Sequence, residues 1–217
     1  ENDQYMLTSD RLRLRSGKDN VYDFETVENY RLTKGELFDS IEDFFRFYVT
    51  AGSEIDVFNR VKNFSLEEWQ AMRASGKLLL GRFARGRVRF IMKEDADRYA
   101  YFRVDSTEEG DMDVLERIKA SPGGITMREL AKVMDVDKDR MKESLMRLDR
   151  SMMVVRAFGE REDWGTENLY TYYKPKKLDD SPEDEVVERA IRAFGPVPSA
   201  ALRYLVSVPD DEIPLCV

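Results

Sequence analysis

The chain has 217 residues, of which 42% are hydrophobic and 36% charged, a composition typical of soluble globular domains. No apolar stretch approaches the ~20 residues of a membrane span, and no signal peptide opens the chain. We therefore expect a cytoplasmic protein with no membrane partner. The 35 Lys and Arg against 43 Asp and Glu give a formal net charge of −8, which does not favour binding to nucleic-acid phosphates by the chain as a whole. The sequence has no histidine, and Cys216 is its only cysteine. These two facts exclude a disulfide within the chain, nucleophiles assisted by histidine, and metal sites rich in Cys or His. We therefore expect no metal and no cofactor.

The first 34 residues form an N-terminal extension that fits no module pattern. Beyond it, residues 40–50 and 53–62 have the apolar spacing of two helices, and Ser65 lies three residues before Glu68, a capping-box signature that begins a third. Residues 77–83 and 87–92 have strand composition. Three helices followed by a two-stranded ribbon is the order of a winged helix, so residues 35–105 are interpreted as a first winged-helix module with an Arg-rich hairpin.

The same order is clearer in residues 111–175, a second module. Helices are predicted over residues 112–120, 127–134 and 138–151, with Thr126 and Glu129 forming a capping box before the second of them. Strand composition returns in residues 152–158 and 169–174, on either side of a polar loop. Residues 181–217 resemble an incomplete third module without a wing. The predicted fold class is therefore mainly α with small β-hairpin wings, in tandem winged-helix (helix-turn-helix) modules.

The strongest positive charge lies in the predicted hairpin of the first module. Strand alternation places two of its arginines on one face, opposite Val88 and Phe90. Such a face can bind DNA phosphates, or it can balance the acidic residues at positions 94–97. The arginines predicted to contact DNA are Arg82, Arg85, Arg87 and Arg89.

A second candidate surface is the predicted helix 138–151, which would be the recognition helix of the second module. Lys138 and Lys142 are its predicted DNA contacts. Asp139 and Glu143 share that surface and repel phosphate, so a solvated helix face with ion pairs between successive turns is the alternative.

Residues 76–95 read Gly-Lys-Leu-Leu-Leu-Gly-Arg-Phe-Ala-Arg-Gly-Arg-Val-Arg-Phe-Ile-Met-Lys-Glu-Asp. This segment resembles the hairpin of the winged-helix DNA glycosylases of the AlkZ/YcaQ type, in which an Arg-Thr pair precedes Met-Arg-Gly-Thr-Leu-His and an Ala-Glu-Asp. Residues 125–131 and 192–199 are similar to the later module openings of that family. The resemblance, which covers residues 40–205, implies tandem winged helices, DNA binding and the removal of alkylated or crosslinked bases.

The sequence departs from that family at its functional positions. The histidine of the family's hairpin falls on Arg89 and its threonine on Arg87. The catalytic Gln-x-Gln or Gln-x-Asp, expected near residues 48–56, has no counterpart, and the stretch offers Glu54 and Asp56 instead. A carboxylate can deprotonate an attacking water, so these two are the candidate catalytic residues.

Three functions are therefore weighed. The first is a DNA-binding tandem winged-helix protein connected with DNA repair, whose partner is double-stranded DNA. The second is an active glycosylase that uses Glu54 or Asp56 as its base. The third is a protein-interaction module of a transcription or helicase assembly, which the acidic net charge favours.

Overall fold

In the computed structural model the described residues are 37–84, 87–103, 105–157, 168–180 and 182–195, and they form eight helices and six strands. The helices are α1 (Ile41–Tyr48), α2 (Glu54–Phe58), α3 (Leu66–Ala74), α4 (Lys93–Tyr101), α5 (Asp111–Lys119), α6 (Met127–Met134), α7 (Lys138–Arg150) and α8 (Glu183–Phe194). The strands are β1 (Thr50–Ala51), β2 (Leu78–Ala84), β3 (Arg87–Met92), β4 (Ile125–Thr126), β5 (Val154–Ala157) and β6 (Leu169–Tyr172). The predicted N-terminal extension, most of the polar loop after β5 and residues 196–217 of the predicted third module lie outside the described residues.

The six strands form one antiparallel sheet in the order β1-β3-β2-β5-β6-β4. The sequence predicted small β-hairpin wings, and in the structure both hairpins belong to this single sheet. The two hairpins are joined where Leu80 of β2 lies opposite Arg156 of β5. Pairing of the two hairpin edges satisfies backbone groups that two isolated hairpins would leave exposed, and gives the two halves of the chain a common sheet.

The same order of elements occurs twice along the chain. Helix α1, strand β1, helices α2 and α3 and strands β2 and β3 are matched by α5, β4, α6, α7, β5 and β6. In each half the short first strand pairs with the last one, Thr50 with Ile91 and Ile125 with Tyr170. The two halves of the chain therefore share one order of helices and strands.

Three hydrophobic clusters hold these layers together. One fills the first half around Phe45, Trp69 and Phe90, and a second fills the other half around Leu130 and Leu148. The third cluster lies between them, where α4 and α8 pack on the sheet. It joins residues of both halves, so α8 completes a core that the two repeats share: Ile91, Tyr99, Val155 and Val187.

Local signals placed several helix ends well. Helix α6 spans the residues predicted, and Thr126 and Glu129 form the reciprocal capping box: Glu129 accepts from the Thr126 amide at 2.8 Å and Thr126 from the Glu129 amide at 3.2 Å. The helix predicted over residues 53–62 is shorter, because Val61 leaves it to form a bridge with Phe38. Helix α4 was not predicted, because its nine residues are mostly charged and carry only a narrow apolar stripe.

Candidate nucleic-acid interface

A cleft of about 300 Å³ opens beside β3 and brings together three of the predicted site residues. Its walls come from the end of α1, the turn through β1 into α2, strand β3, helix α4 and the end of α8. We call it the arginine cleft, and its lining comprises Phe44, Tyr48, Val49, Thr50, Ala51, Gly52, Asp56, Arg60, Arg87, Arg89, Tyr99, Ala190 and Phe194.

Strand β3 supplies two of the arginines. Arg89 lies opposite Gly81 and Arg87 opposite Ala84, and both side chains line the cleft. Phe90, the next residue after Arg89, points to the other face of the sheet, where it is 5% exposed and packs on Trp69. The predicted alternation along this strand is therefore present.

Gly52 brings Arg89 close to Asp56. A Cβ built on Gly52 would collide with the guanidinium of Arg89 and would lie 2.9 Å from Oδ2 of Asp56. Only glycine leaves room for both groups at this position. The same Oδ2 accepts hydrogen bonds from the amides of Gly52 at 2.9 Å and Ser53 at 3.1 Å, which closes the capping box at the start of α2. Within the described residues no ion pair joins Arg89 to a carboxylate, so its charge faces the cleft.

The structure adds two residues to this site that the sequence did not indicate, Arg60 and Phe194. Arg60 donates from Nη1 to the carbonyl of Asp56 at 3.0 Å, and its guanidinium lies 5.6 Å from the centre of the Tyr48 ring. Phe194 packs on Tyr48, with ring centres 5.8 Å apart. The spacing of Asp56 and Arg60 by one helical turn is a local signal, whereas the contact of Tyr48 with Phe194 spans most of the chain.

Helix α8 reaches the cleft because Arg189 anchors it. The guanidinium of Arg189 forms an ion pair with Asp95 of α4, in which its Nη2 lies 3.2 Å from Oδ2. Nη2 also donates to the carbonyl of Arg46 at 3.1 Å, near the end of α1. One side chain thereby fixes α8 to both α4 and α1 and positions Phe194 at the cleft.

Acid–base chemistry in the cleft is limited to few groups. Burial raises the pKa of Tyr99 above its ordinary value, although Arg189 opposes that effect, so this phenol stays protonated and is unsuited as a base. Among the described lining residues Asp56 is the one carboxylate. Its Oδ1 accepts no hydrogen bond from the described part of the chain, which leaves that oxygen available to a water molecule.

Arg82 lies on the opposite face of the sheet. Its Nε donates to Oδ2 of Asp149 at 2.8 Å, and Arg156 of the neighbouring strand contacts the same oxygen at 3.3 Å. Asp149 is only 3% exposed at its side chain. The structure thus gives Arg82 a role in packing and does not bring it to Arg87 and Arg89.

The other predicted site residues are scattered. Glu54 is exposed at the first position of α2 and interacts electrostatically with Arg73, outside the cleft lining. Lys138 and Lys142 are exposed on α7, far along the chain from the cleft and absent from its lining. Arg85 lies outside the described residues.

The described residues contain neither a cluster of metal ligands nor a membrane-spanning helix. No group of three or more His, Cys, Asp or Glu side chains could hold a metal ion in that part of the chain. None of its helices combines the length and the apolar character needed to cross a bilayer.

Comparison with known proteins gives a likeness of fold. No family model matches the chain, and no curated protein is similar to it in sequence. Among solved structures the fold is similar to that of the Streptomyces sahachiroi DNA glycosylase AlkZ, with a TM-score of 0.64, 15% identity and 88% of this chain covered. The match covers 63% of that protein, so the chain spans less than two thirds of its length. The likeness establishes an AlkZ-like fold.

Proposed function

We propose that the chain is a DNA-binding protein of tandem winged helices, connected with DNA repair, which holds the phosphates of double-stranded DNA through the arginine cleft. The observation that carries the proposal is the placement of Arg60, Arg87 and Arg89 around one opening, where Asp56 is the single acid among the described lining residues. Such a local excess of positive charge attracts phosphate even when the whole protein is acidic.

The winged-helix organisation is supported by the repeated order of helix, short strand, two helices and hairpin in residues 37–92 and 111–172. In this interpretation the modules are residues 35–105 and 111–175, and α8 belongs to a partial third module over residues 181–217. The AlkZ-like fold supports the connection with repair. Lys138 and Lys142 remain candidate contacts, since α7 would be the recognition helix of the second module.

The test is a titration of a fluorescein-labelled duplex of about 20 base pairs, followed by anisotropy at several salt concentrations. The double variant Arg87→Ala/Arg89→Ala should bind at least about tenfold more weakly at low salt. Loss of two phosphate contacts should also reduce the slope of log affinity against log salt by about 1.8. The same affinity and slope as wild type would contradict the proposal.

The matched control is Arg117→Ala/Arg150→Ala, which removes two exposed arginines outside the cleft and changes the net charge equally. It should bind the duplex with an affinity within about twofold of wild type and with the same salt slope, because arginines outside the cleft make no phosphate contact in the proposed interface. The alternative of a protein-interaction module predicts negligible affinity for wild type at physiological salt, so the same titration separates the two functions.

A glycosylase is the second candidate, and the position of Asp56 favours it. Asp56 lies in the arginine cleft, its Oδ2 is held by two backbone amides, and its Oδ1 faces no donor among the described residues. A carboxylate held in this way can take a proton from a water that attacks C1′ of the nucleotide, while the C1′–N bond breaks and the base leaves with its electron pair. Glu54, the other carboxylate suggested by the sequence, is exposed outside the lining and is the less suitable base.

The glycosylase candidate is tested by incubating the protein with alkylated and with crosslinked duplex and assaying abasic sites. Wild type and Glu54→Gln should then give abasic product and Asp56→Asn should give none, because an amide cannot accept the proton. The Asn side chain keeps an oxygen for the capping amides, so the variant should remain folded. Absence of abasic product with wild type would reject catalysis and leave the binding proposal intact.

A further inference from the structure

A second groove, of about 690 Å³, lies beside the C-terminal end of α4. Among the described residues, none lines both the arginine cleft and this groove. We call it the lysine groove, and its lining comprises Tyr101, Arg103, Asp105, Ser151, Met153, Pro175, Lys176, Lys177 and Leu178.

The groove carries a local excess of positive charge. Arg103, Lys176 and Lys177 are exposed, and within the described residues no ion pair neutralises any of them. Asp105 is the one acid of the described lining, and its Oδ1 is occupied by Thr107, whose amide donates at 2.9 Å and whose hydroxyl donates at 2.6 Å. Lys176 and Lys177 are therefore available to an anionic ligand. Arg103 adds positive charge beside them, although it also interacts electrostatically with Asp105 and donates from Nη1 to the carbonyl of Ala100 at 3.0 Å.

Hydrogen bonds hold the backbone segment that carries Lys176 and Lys177. The amide of Lys176 donates to Oδ1 of Asp97 at 3.0 Å, and the hydroxyl of Tyr173 donates to the same oxygen at 2.6 Å. The amide of Tyr173 donates to the carbonyl of Met153 at 2.9 Å, so the segment is held from both sides. Asp97 thus positions the two lysines next to α4 before any ligand arrives, which reduces the ordering that binding requires.

An aromatic ring lies exposed among these charges. The side chain of Tyr101 is 45% exposed. Its neighbour Phe102 contacts it in an edge arrangement, with ring centres 5.3 Å apart. A free ring face beside cations is the combination used by proteins that bind single-stranded nucleic acid, in which bases stack and phosphates follow the charged groove.

We propose that the lysine groove binds a segment of single-stranded DNA, with phosphates on Arg103, Lys176 and Lys177 and a base stacked on Tyr101. Duplex DNA would leave the ring unused, because its bases are already stacked on each other. An acidic peptide would use the lysines but has no group that requires the exposed tyrosine. The proposal rests on residues outside the arginine cleft, so it can hold or fail independently of duplex binding there.

The probe is a fluorescein-labelled oligothymidylate of about twelve residues, a length within the usual site size, measured by anisotropy over a range of salt concentrations. Lys176→Ala/Lys177→Ala should weaken binding by roughly tenfold at low salt and reduce the salt slope by about 1.4. Arg117→Ala/Arg150→Ala, the control of equal charge, should bind like wild type. Tyr101→Leu should lose at least about fivefold, whereas Tyr101→Phe should retain affinity, because stacking needs the ring and not the hydroxyl.

The proposal is overturned if Lys176→Ala/Lys177→Ala binds the oligothymidylate with the affinity and slope of wild type. It is also overturned if Tyr101→Leu binds as well as Tyr101→Phe, or if an oligoglutamate of equal length competes as effectively as unlabelled oligothymidylate, since the groove would then be a surface for acidic peptides. Failure of the duplex proposal is recognised separately, because it appears in Arg87→Ala/Arg89→Ala with the duplex probe.

Discussion

Arg82 of β2 and Asp149 of α7 form an ion pair with an Nε–Oδ2 distance of 2.8 Å across 67 residues of sequence. Arg156 of β5 contacts the same oxygen at 3.3 Å, so one carboxylate joins the two strands at which the halves of the sheet meet. Burial raises the pKa of Asp149 above its ordinary value even though Arg156 and Arg82 both oppose that effect. The two arginines therefore compensate the cost of burying this acid only in part.

Removal of the Arg82 guanidinium is expected to destabilise the protein without affecting the arginine cleft. Arg82→Met keeps most of the apolar stem and leaves Asp149 with Arg156 alone, so the free energy of unfolding should fall by about 1–3 kcal/mol in a urea titration. The affinity of the folded variant for duplex DNA should stay within about twofold of wild type, because Arg82 makes no phosphate contact in the proposed interface.

Arg117→Met is the matched control, since Arg117 is exposed and joins no described ion pair. It should change the free energy of unfolding by less than about 0.5 kcal/mol. If Arg82→Met kept wild-type stability and lost duplex affinity, Arg82 would belong to the DNA-contacting surface and not to the junction of the sheet.

The sequence allowed the positions of Arg87 and Arg89 to be predicted, but not the position of Arg82. The shared face of Arg87 and Arg89 followed from strand alternation, which is a local property with a period of two residues. The role of Arg82 could not be foreseen, because its partner Asp149 is brought to it by the pairing of Leu80 with Arg156. That pairing joins two segments far apart in the chain and has no local signature.

The arginine cleft likewise contains residues that the sequence predicted and residues that it did not. Asp56 was a candidate because it stands in a short stretch where the resembled family carries its catalytic motif, and the cleft contains it. Phe194 and Tyr99 line the same cleft because α8 and α4 pack on the sheet, where Arg189 of α8 also contacts Asp95 of α4. Contacts between distant helices of this kind follow from the tertiary fold and not from periodicity.

Gly52→Ala is expected to impair DNA binding with little effect on stability. The added methyl would collide with the Arg89 guanidinium and would lie 2.9 Å from Asp56 Oδ2, and both groups are ends of side chains that can move. The free energy of unfolding should therefore change by less than about 1 kcal/mol. Duplex affinity should fall to that of Arg89→Ala in the anisotropy titration, because Arg89 can no longer hold its place in the cleft.

Gly123→Ala is the control for this substitution, since nothing lies within 4 Å of a Cβ at Gly123. It should leave both stability and duplex affinity near wild type. Wild-type affinity in a stably folded Gly52→Ala protein would show that the position of Arg89 over Gly52 has no part in binding.

The ion pair between Arg147 and Asp111 is expected to make stability depend on acid pH. Arg147 contacts both carboxylate oxygens, at 2.7 and 2.9 Å, and the Asp111 side chain is 2% exposed. Burial acts to raise the pKa of Asp111, but hydrogen bonds from Arg147 and from the Glu108 amide outweigh it and the pKa lies below its ordinary value. Since the folded-state pKa is lower than the unfolded one, the stabilisation is complete above the unfolded pKa of about 3.9 and is lost as pH falls through the folded value.

Asp111→Asn should therefore lower the free energy of unfolding at pH 7 by about 2 kcal/mol. This loss is smaller than the loss on breaking a fully isolated buried pair, because Glu108 also contacts Arg147 and keeps a negative charge beside it. The difference between Asp111→Asn and wild type should narrow as the pH of the urea titration is lowered below about 4, where protonation removes the charge of Asp111 in wild type as well. Asp113→Asn, an exposed change on the same helix, should cost less than about 0.5 kcal/mol at every pH. A difference for Asp111→Asn that stays constant from pH 7 to the acid limit would mean that the charge of Asp111 contributes nothing, and that hydrogen-bond geometry alone joins α5 to α7.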